Sequence, residues 1–127
     1  MIKLLLVDDE KGITDLLTDF FTSRGFSARA ANNGDDALAE IKSERPDIVF
    51  LDIKMEGLGG LEALEMIKAI DPTIKVVMLT MHDETEIIER AKELGADEYV
   101  TKPLKVGYLE KVVMKKVEEL TKERTKK

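Results

Sequence analysis

The sequence holds no cysteine, no tryptophan and only three prolines among 127 residues. Without cysteine there are no disulfides and no thiolate metal centres. No apolar run approaches the length that crosses a bilayer. The N-terminal Met1-Ile2-Lys3 and the brief apolar run after it meet Asp8-Asp9-Glu10 too soon for a secretory signal, so the cytoplasm is the expected compartment. A basic face is lacking too: the formal net charge is -6, which argues against direct contact with nucleic acid. No glycine-rich stretch ends in Gly-Lys-Ser/Thr, which excludes a nucleotide-binding P-loop. Internal repeats and low-complexity tracts are absent.

What is present is a globular composition, 43% hydrophobic and 36% charged, in a chain long enough for one domain with a real core and too short for two. Four short apolar runs each end on a residue that phosphate chemistry uses. Leu4 to Val7 runs into Asp8-Asp9-Glu10, and Ile48 to Leu51 into Asp52. Val76 to Leu79 stops at Thr80, and Tyr99-Val100-Thr101 stops at Lys102-Pro103. Runs this apolar and this short suit parallel strands covered on both faces by helices. In an open parallel sheet the ligand crevice lies beyond the carboxyl ends of the strands. Carboxylates, a hydroxyl and an ammonium are thus expected at one edge.

Between the runs the spacing predicts helices. Ile13, Leu16, Leu17 and Phe20 recur at helical intervals before Gly25. Ser27 to Ala31 reads as a weaker strand, plausible at a sheet edge. Asn33 is placed to cap a helix whose apolar face is Ala37, Leu38 and Ile41, and Pro46 follows its end. A glycine-bearing loop (Gly57, Gly59, Gly60) precedes a helix with Leu61, Leu64, Ile67 and Ile70 inward. Asp83-Glu84-Thr85-Glu86 resembles a capping box before Ile87, Ile88, Ala91 and Leu94. The last helix carries Leu109, Val112, Val113, Val117 and Leu120. The alternation is βαβαβαβαβα, one α/β domain over residues 1–121 followed by a polar tail, 122–127.

The chemistry follows from residue type. Mg²⁺ prefers carboxylate, carbonyl and water oxygens. Asp8, Asp9 and Asp52 crowded together repel one another unless a divalent cation is present or one takes a proton. A bound cation leaves Asp52 ionised and nucleophilic. Lys102 supplies a point charge for transferring oxygens, and the Thr80 hydroxyl can donate to one of them. Taken singly, an acidic pair is more often a helix cap, Thr80 a strand-end residue and Lys-Pro a turn. Their joint placement at four strand ends is what argues for a site.

The set Val7-Asp8-Asp9-Glu10, Leu51-Asp52-Ile53-Lys54-Met55, Leu79-Thr80 and Thr101-Lys102-Pro103 resembles the receiver domain of two-component response regulators, over about Lys3 to Leu120. The resemblance implies a doubly wound, flavodoxin-like sheet of five parallel strands in the order 2-1-3-4-5, flanked by five helices. It implies that Asp52 accepts a phosphoryl group from a sensor histidine kinase or phosphotransfer protein. Asp9, Asp52 and the Lys54 backbone carbonyl would bind Mg²⁺ directly, with Asp8 acting largely through water. Lys102 would pair with the phosphate, and Lys102-Pro103 would be a cis peptide. Thr80 and Tyr99 would form the switch, remodelling the face made by the fourth helix, fifth strand and fifth helix. Such a domain is no enzyme in the ordinary sense, since it catalyses only its own phosphorylation and dephosphorylation.

The chain departs from the family pattern at Glu56, where proline is usual, and at Met81, where a small residue is usual. The bulk of Met81 is expected to slow dephosphorylation. Lys54 and His82 stand two residues beyond Asp52 and Thr80, where the family tunes the lifetime of the acyl phosphate. His82 is the single histidine, and its context is a loop entering a helix rather than a phosphotransfer helix. A flavodoxin-like flavin binder would need a phosphate loop where Asp8-Asp9-Glu10 stands. A haloacid-dehalogenase-type phosphatase would need a second aspartate where Lys54 stands. A degenerate receiver serving as a phosphorylation-independent binding module is the remaining alternative, and it would lack one of Asp9, Asp52 and Lys102. Two output readings stay open: a stand-alone regulator that docks to a downstream protein, and the receiver of a longer protein with its own output domain. Phosphorylation-dependent pairing of two copies is a third expectation.

Overall fold

The computed structural model describes residues 1–55, 57–81 and 84–122. Five strands, β1 (Lys3–Val7), β2 (Ser27–Ala31), β3 (Ile48–Asp52), β4 (Lys75–Thr80) and β5 (Glu98–Thr101), form one parallel sheet in the order β2-β1-β3-β4-β5. Between them lie α1 (Lys11–Thr22), α2 (Gly34–Ser43), α3 (Gly60–Ile70) and α4 (Thr85–Glu93). The fifth helix, α5, is continuous from α-helical Val106–Tyr108 through a π turn, Leu109–Val113, to α-helical Met114–Leu120. The doubly wound order and helix count are those expected.

Side chains of a strand alternate between the two sheet faces, which sorts the core into two layers. Leu5, Val7, Val49, Leu51, Val76 and Met78 pack against α2, α3 and α4. Leu4, Leu6, Phe50, Val77, Leu79 and Val100 pack against α1 and α5, with Phe21 between Phe26 and Phe50. The three central strands are buried along nearly their whole length, as a parallel sheet covered on both sides requires. β2, more polar in sequence, is indeed an edge.

Asn33 caps α2 as expected, its side-chain oxygen accepting the Asp36 N–H at 2.7 Å. Three local expectations are corrected. Leu16 lies on the exposed side of α1, and Phe21 takes the inward position instead. Val112 is exposed because the π turn widens α5 there, leaving Leu109, Val113 and Val117 inward. α4 opens with Glu84 rather than Asp83 at the N-cap, and among the described residues Glu84 makes no side-chain capping bond. Asp83, the expected cap, lies outside the described residues, as do Glu56, His82 and residues 123–127.

β3 must approach α3 closely for its terminal aspartate to reach the sheet edge. A Cβ at Gly60 would run into the Asp52 carbonyl oxygen and lie 2.6 Å from Ile53 Cα. The missing side chain lets the first turn of α3 rest on the strand end, where the Gly60 N–H donates to the Ile53 carbonyl at 3.1 Å.

Candidate functional site

Adjacent parallel strands in register bring their C-terminal residues to one edge: Val7 pairs with Leu51, and Asp52 with Leu79. Asp8, just past β1, is fully buried. Its Oδ1 accepts the Glu10 N–H at 3.0 Å, and Asn32 donates to its carbonyl at 2.9 Å. Asp52, the last residue of β3, is also buried, and its Oδ1 accepts the Lys54 N–H at 3.2 Å. Lys102 leaves the end of β5 through a cis Lys102-Pro103 bond, as the resemblance implied, and its N–H donates to the Thr80 carbonyl at 2.7 Å. The Lys102 ammonium stands 2.8 Å from Asp8 Oδ2, 3.7 Å from Asp52 Oδ1 and 4.0 Å from Glu10 Oε1.

The charges in this pocket oppose one another. Burial pushes the Asp52 carboxyl up, the Asp8 charge adds to that, and Lys102 with the Lys54 N–H pulls it partly back, leaving it near 7. For Lys102, burial disfavours the ammonium, but the Asp8 hydrogen bond and the charges of Asp52, Asp8 and Glu10 outweigh it and hold its pKa above the usual lysine range. One lysine faces more negative charge than it neutralises. Carboxylate oxygens of Asp8, Asp9 and Glu10 lie within 4.8 Å of one another, with Asp9 and Glu10 open to solvent. Asp8 Oδ2 is buried and, among the described residues, takes no hydrogen bond beyond its Lys102 ion pair. All-oxygen donors, excess negative charge and an open side fit a small, hard divalent cation.

The structure therefore brings Asp8, Asp52 and Lys102 together, with Asp9 beside Asp8. It does not aim the Thr80 hydroxyl into the pocket: buried, Thr80 Oγ1 donates to the Val100 carbonyl at 3.4 Å. Tyr99 is half-buried against the α4 layer, with the Lys92 and Lys116 ammoniums 5.4 and 5.6 Å from its ring centre. A cavity of about 190 Å³ opens beside it, lined by Met78, Ile88, Ala91 and Lys92 among others. Met81, directly after Thr80, is 45% exposed.

Three residues beyond those expected contribute. Glu10 adds a carboxylate to the pocket, and its place beside the Asp8-Asp9 pair was the available signal. Tyr108 offers its hydroxyl to the Thr101 N–H at 3.0 Å, fixing the residue that precedes Lys102. Glu84, at the N-cap of α4, is buried. Neither of the last two carries a signal in spacing or type.

An open parallel sheet whose strand ends gather an acidic cluster around one lysine defines a class of signalling domain. The chain belongs to the response regulator receiver domain family, whose model matches residues 4–114. It is 40% identical over 113 residues to sporulation initiation phosphotransferase F of Bacillus subtilis, covering 89% of this chain and 91% of that one. It is 39% identical to the nitrogen assimilation regulatory protein NtrX of Azorhizobium caulinodans, spanning 92% of this chain but only 26% of that protein. Among solved structures, a two-component response regulator from Clostridium difficile superposes with a TM-score of 0.88 at 27% identity, covering 96% of this chain and 97% of that one. NtrX from Brucella abortus gives 0.87 at 36% identity, covering 97% of this chain and 29% of that chain. Among the described residues no helix is long and apolar enough to cross a membrane.

Proposed function

We propose that this receiver domain accepts a phosphoryl group on Asp52 from the phosphohistidine of a sensor kinase or phosphotransfer protein. The observation that carries the reading is Lys102, half-buried, with its ammonium 2.8 Å from Asp8 and 3.7 Å from Asp52. An Asp52 carboxylate oxygen attacks phosphorus, the P–N bond to the donor imidazole breaks, and an acyl phosphate forms as the imidazole leaves with the electron pair. Lys102 then has a richer anion within reach on Asp52 and offsets its charge. Asp8, Asp9, Asp52 and the Lys54 carbonyl would hold Mg²⁺, with Glu10 beside them. When bound, the ion neutralises the carboxylates, keeps Asp52 ionised and stabilises charge on the transferring oxygens.

The switch is a shift between two arrangements, biased by whatever the phosphoryl group contacts differently in each. Thr80 Oγ1 leaves the Val100 carbonyl to donate to a phosphoryl oxygen, and Tyr99 turns inward, giving up its position between Lys92 and Lys116. The face built from α4, β5 and α5 changes shape and meets a downstream partner, an output domain or a second copy. Lys54, Met81 and His82 set the lifetime of the acyl phosphate. The setting is the cytoplasm. Domain limits of 1–121, with 122–127 as a tail, complete the reading.

A thermal-shift titration with Mg²⁺ and beryllofluoride, a phosphoryl mimic, tests this on wild type and Asp52→Asn. Mg²⁺-dependent stabilisation by the mimic that is lost in Asp52→Asn is the expected outcome. Equal stabilisation of both proteins would place the anion elsewhere and defeat the reading. For pairing of copies, sedimentation with the mimic is expected to show a heavier species, and an unchanged monomer would exclude it.

A further inference from the structure

Two loops flank Asp52, one following β3 and one following β4, and a single buried side chain ties them together. Glu84 is only 7% exposed, yet at the N-cap of α4 it makes no capping bond. Its carboxylate turns back instead. Oε1 accepts the Met81 N–H at 3.3 Å and lies 3.6 Å from the Lys54 ammonium. Lys54 in turn donates its backbone N–H to Asp52 Oδ1. Met81 directly follows Thr80, so this carboxylate holds the loops on both sides of the acceptor.

The tie is incompletely compensated. Oε2 is buried and, among the described residues, has no hydrogen-bond partner. A buried carboxylate with one oxygen unsatisfied bears a desolvation cost that its contacts repay only in part. The Lys54 side chain is 68% exposed, so water screens the ion pair. Such a contact persists while no better anion is near and yields when one arrives.

We infer that Glu84 is a positioning residue that acts as an internal anion, occupying the Met81 N–H and the Lys54 ammonium while Asp52 is unmodified and releasing them to the phosphoryl group. This rests on the receiver reading of Asp52. A phosphoryl group on Asp52 brings up to two negative charges beside both loops and is the stronger acceptor. The donors leave Glu84, and the loop after β4 is freed at the step in which Thr80 moves. The strength of the tie then sets how readily the domain accepts the active arrangement, because a competing contact in the resting state lowers apparent affinity for whatever stabilises the other state.

The test measures beryllofluoride affinity by calorimetry in the presence of Mg²⁺, together with amide exchange at Met81 without the mimic. Glu84→Ala removes the acceptor, Glu84→Gln keeps its shape without the charge, and Lys54→Met breaks the ion pair without touching α4. Glu84→Ala is expected to bind the mimic about three- to tenfold tighter and to exchange the Met81 amide faster, with Glu84→Gln intermediate. In Lys54→Met the effect of Glu84→Gln shrinks, since the charge it removes no longer has its partner. Unchanged or weaker affinity in both Glu84 variants, with wild type binding normally, overturns the inference. So does unchanged Met81 exchange in Glu84→Ala. If wild type binds no mimic while Met81 exchange still responds to Glu84, the receiver reading fails and the coupling to phosphorylation fails with it, while the tie itself stands.

Discussion

Burial and the neighbouring Asp8 charge together make an ionised Asp52 costly in the cation-free protein, and this has a direct consequence for stability. Its carboxyl titrates near 7 in the fold against an ordinary 3.8. The folded state therefore binds that proton more tightly than the unfolded chain. The group's stabilising contribution is complete below about pH 4 and is lost as pH rises through about 7. Asp52→Asn is expected to leave stability nearly unchanged at about pH 4 and to raise it by roughly 1–3 kcal/mol at about pH 8 without Mg²⁺. Urea denaturation at the two pH values checks this, and a variant less stable than wild type at the higher pH would contradict it. Met81, exposed directly after Thr80, is expected to hinder water: Met81→Ala should shorten the phospho-form lifetime several-fold in a decay assay. An unchanged or longer lifetime counts against it. At this scale the positions of Asp8, Asp52 and Lys102 were legible because each follows or closes a short apolar run that suits a parallel strand, β1 and β3 inside the sheet and β5 at its edge. Thr80 was legible in position but not in orientation, since no sequence pattern says that its hydroxyl turns to the Val100 carbonyl. Glu84 and Tyr108 were not legible at all, because each acts through one contact with a backbone N–H whose place depends on loop geometry.

Elements carry the site by ending where they do. Gly60→Ala would drive a methyl into the Asp52 carbonyl, and the strand end or α3 must shift. A loss of about 2–3 kcal/mol in urea denaturation is expected, with weaker Mg²⁺ binding because the Lys54 backbone moves too. Full stability in this variant would show that the contact gives way freely. Asn33→Ala, remote from the site, should cost about 1 kcal/mol and leave Mg²⁺ affinity intact. Strand and helix identities followed from short apolar runs, helical spacing, and the glycines, proline and cap residue between them. The errors fell where a second force intervenes. The π turn rotates Val112 outward, a geometry that heptad-like spacing does not encode. α4 starts one residue later than the acidic pattern suggested, because the Glu84 side chain serves the preceding loop rather than the helix. The exposed margin of β5 shows a similar economy: the N–H groups of Tyr99 and Thr101 face away from β4 and are taken by Glu98 Oε1 and the Tyr108 hydroxyl. That leaves the edge few free donors for another strand.

On the scale of the whole molecule, the doubly wound sheet gathers Asp8, Asp52 and Lys102 at one end and carries an ion-pair cluster at the other. At that far end the Lys68 ammonium donates to the Ile74 carbonyl at 2.7 Å and pairs with Asp97 at 2.9 Å, joining α3 to the entrances of β4 and β5. The fold was the most legible level: alternating strands and helices with short connections pointed to one α/β domain, and the receiver resemblance implied the strand order. The output was the least legible, because a partner surface is chosen by shape and charge that the receiver pattern leaves free. The most direct measurement is intact mass after incubation with acetyl phosphate, with and without Mg²⁺, on wild type and Asp52→Asn. A single phosphoryl adduct that requires Mg²⁺ and disappears in Asp52→Asn is the expected result. No adduct on wild type in the presence of Mg²⁺, or an adduct that survives Asp52→Asn, would contradict the assignment of Asp52 as the acceptor.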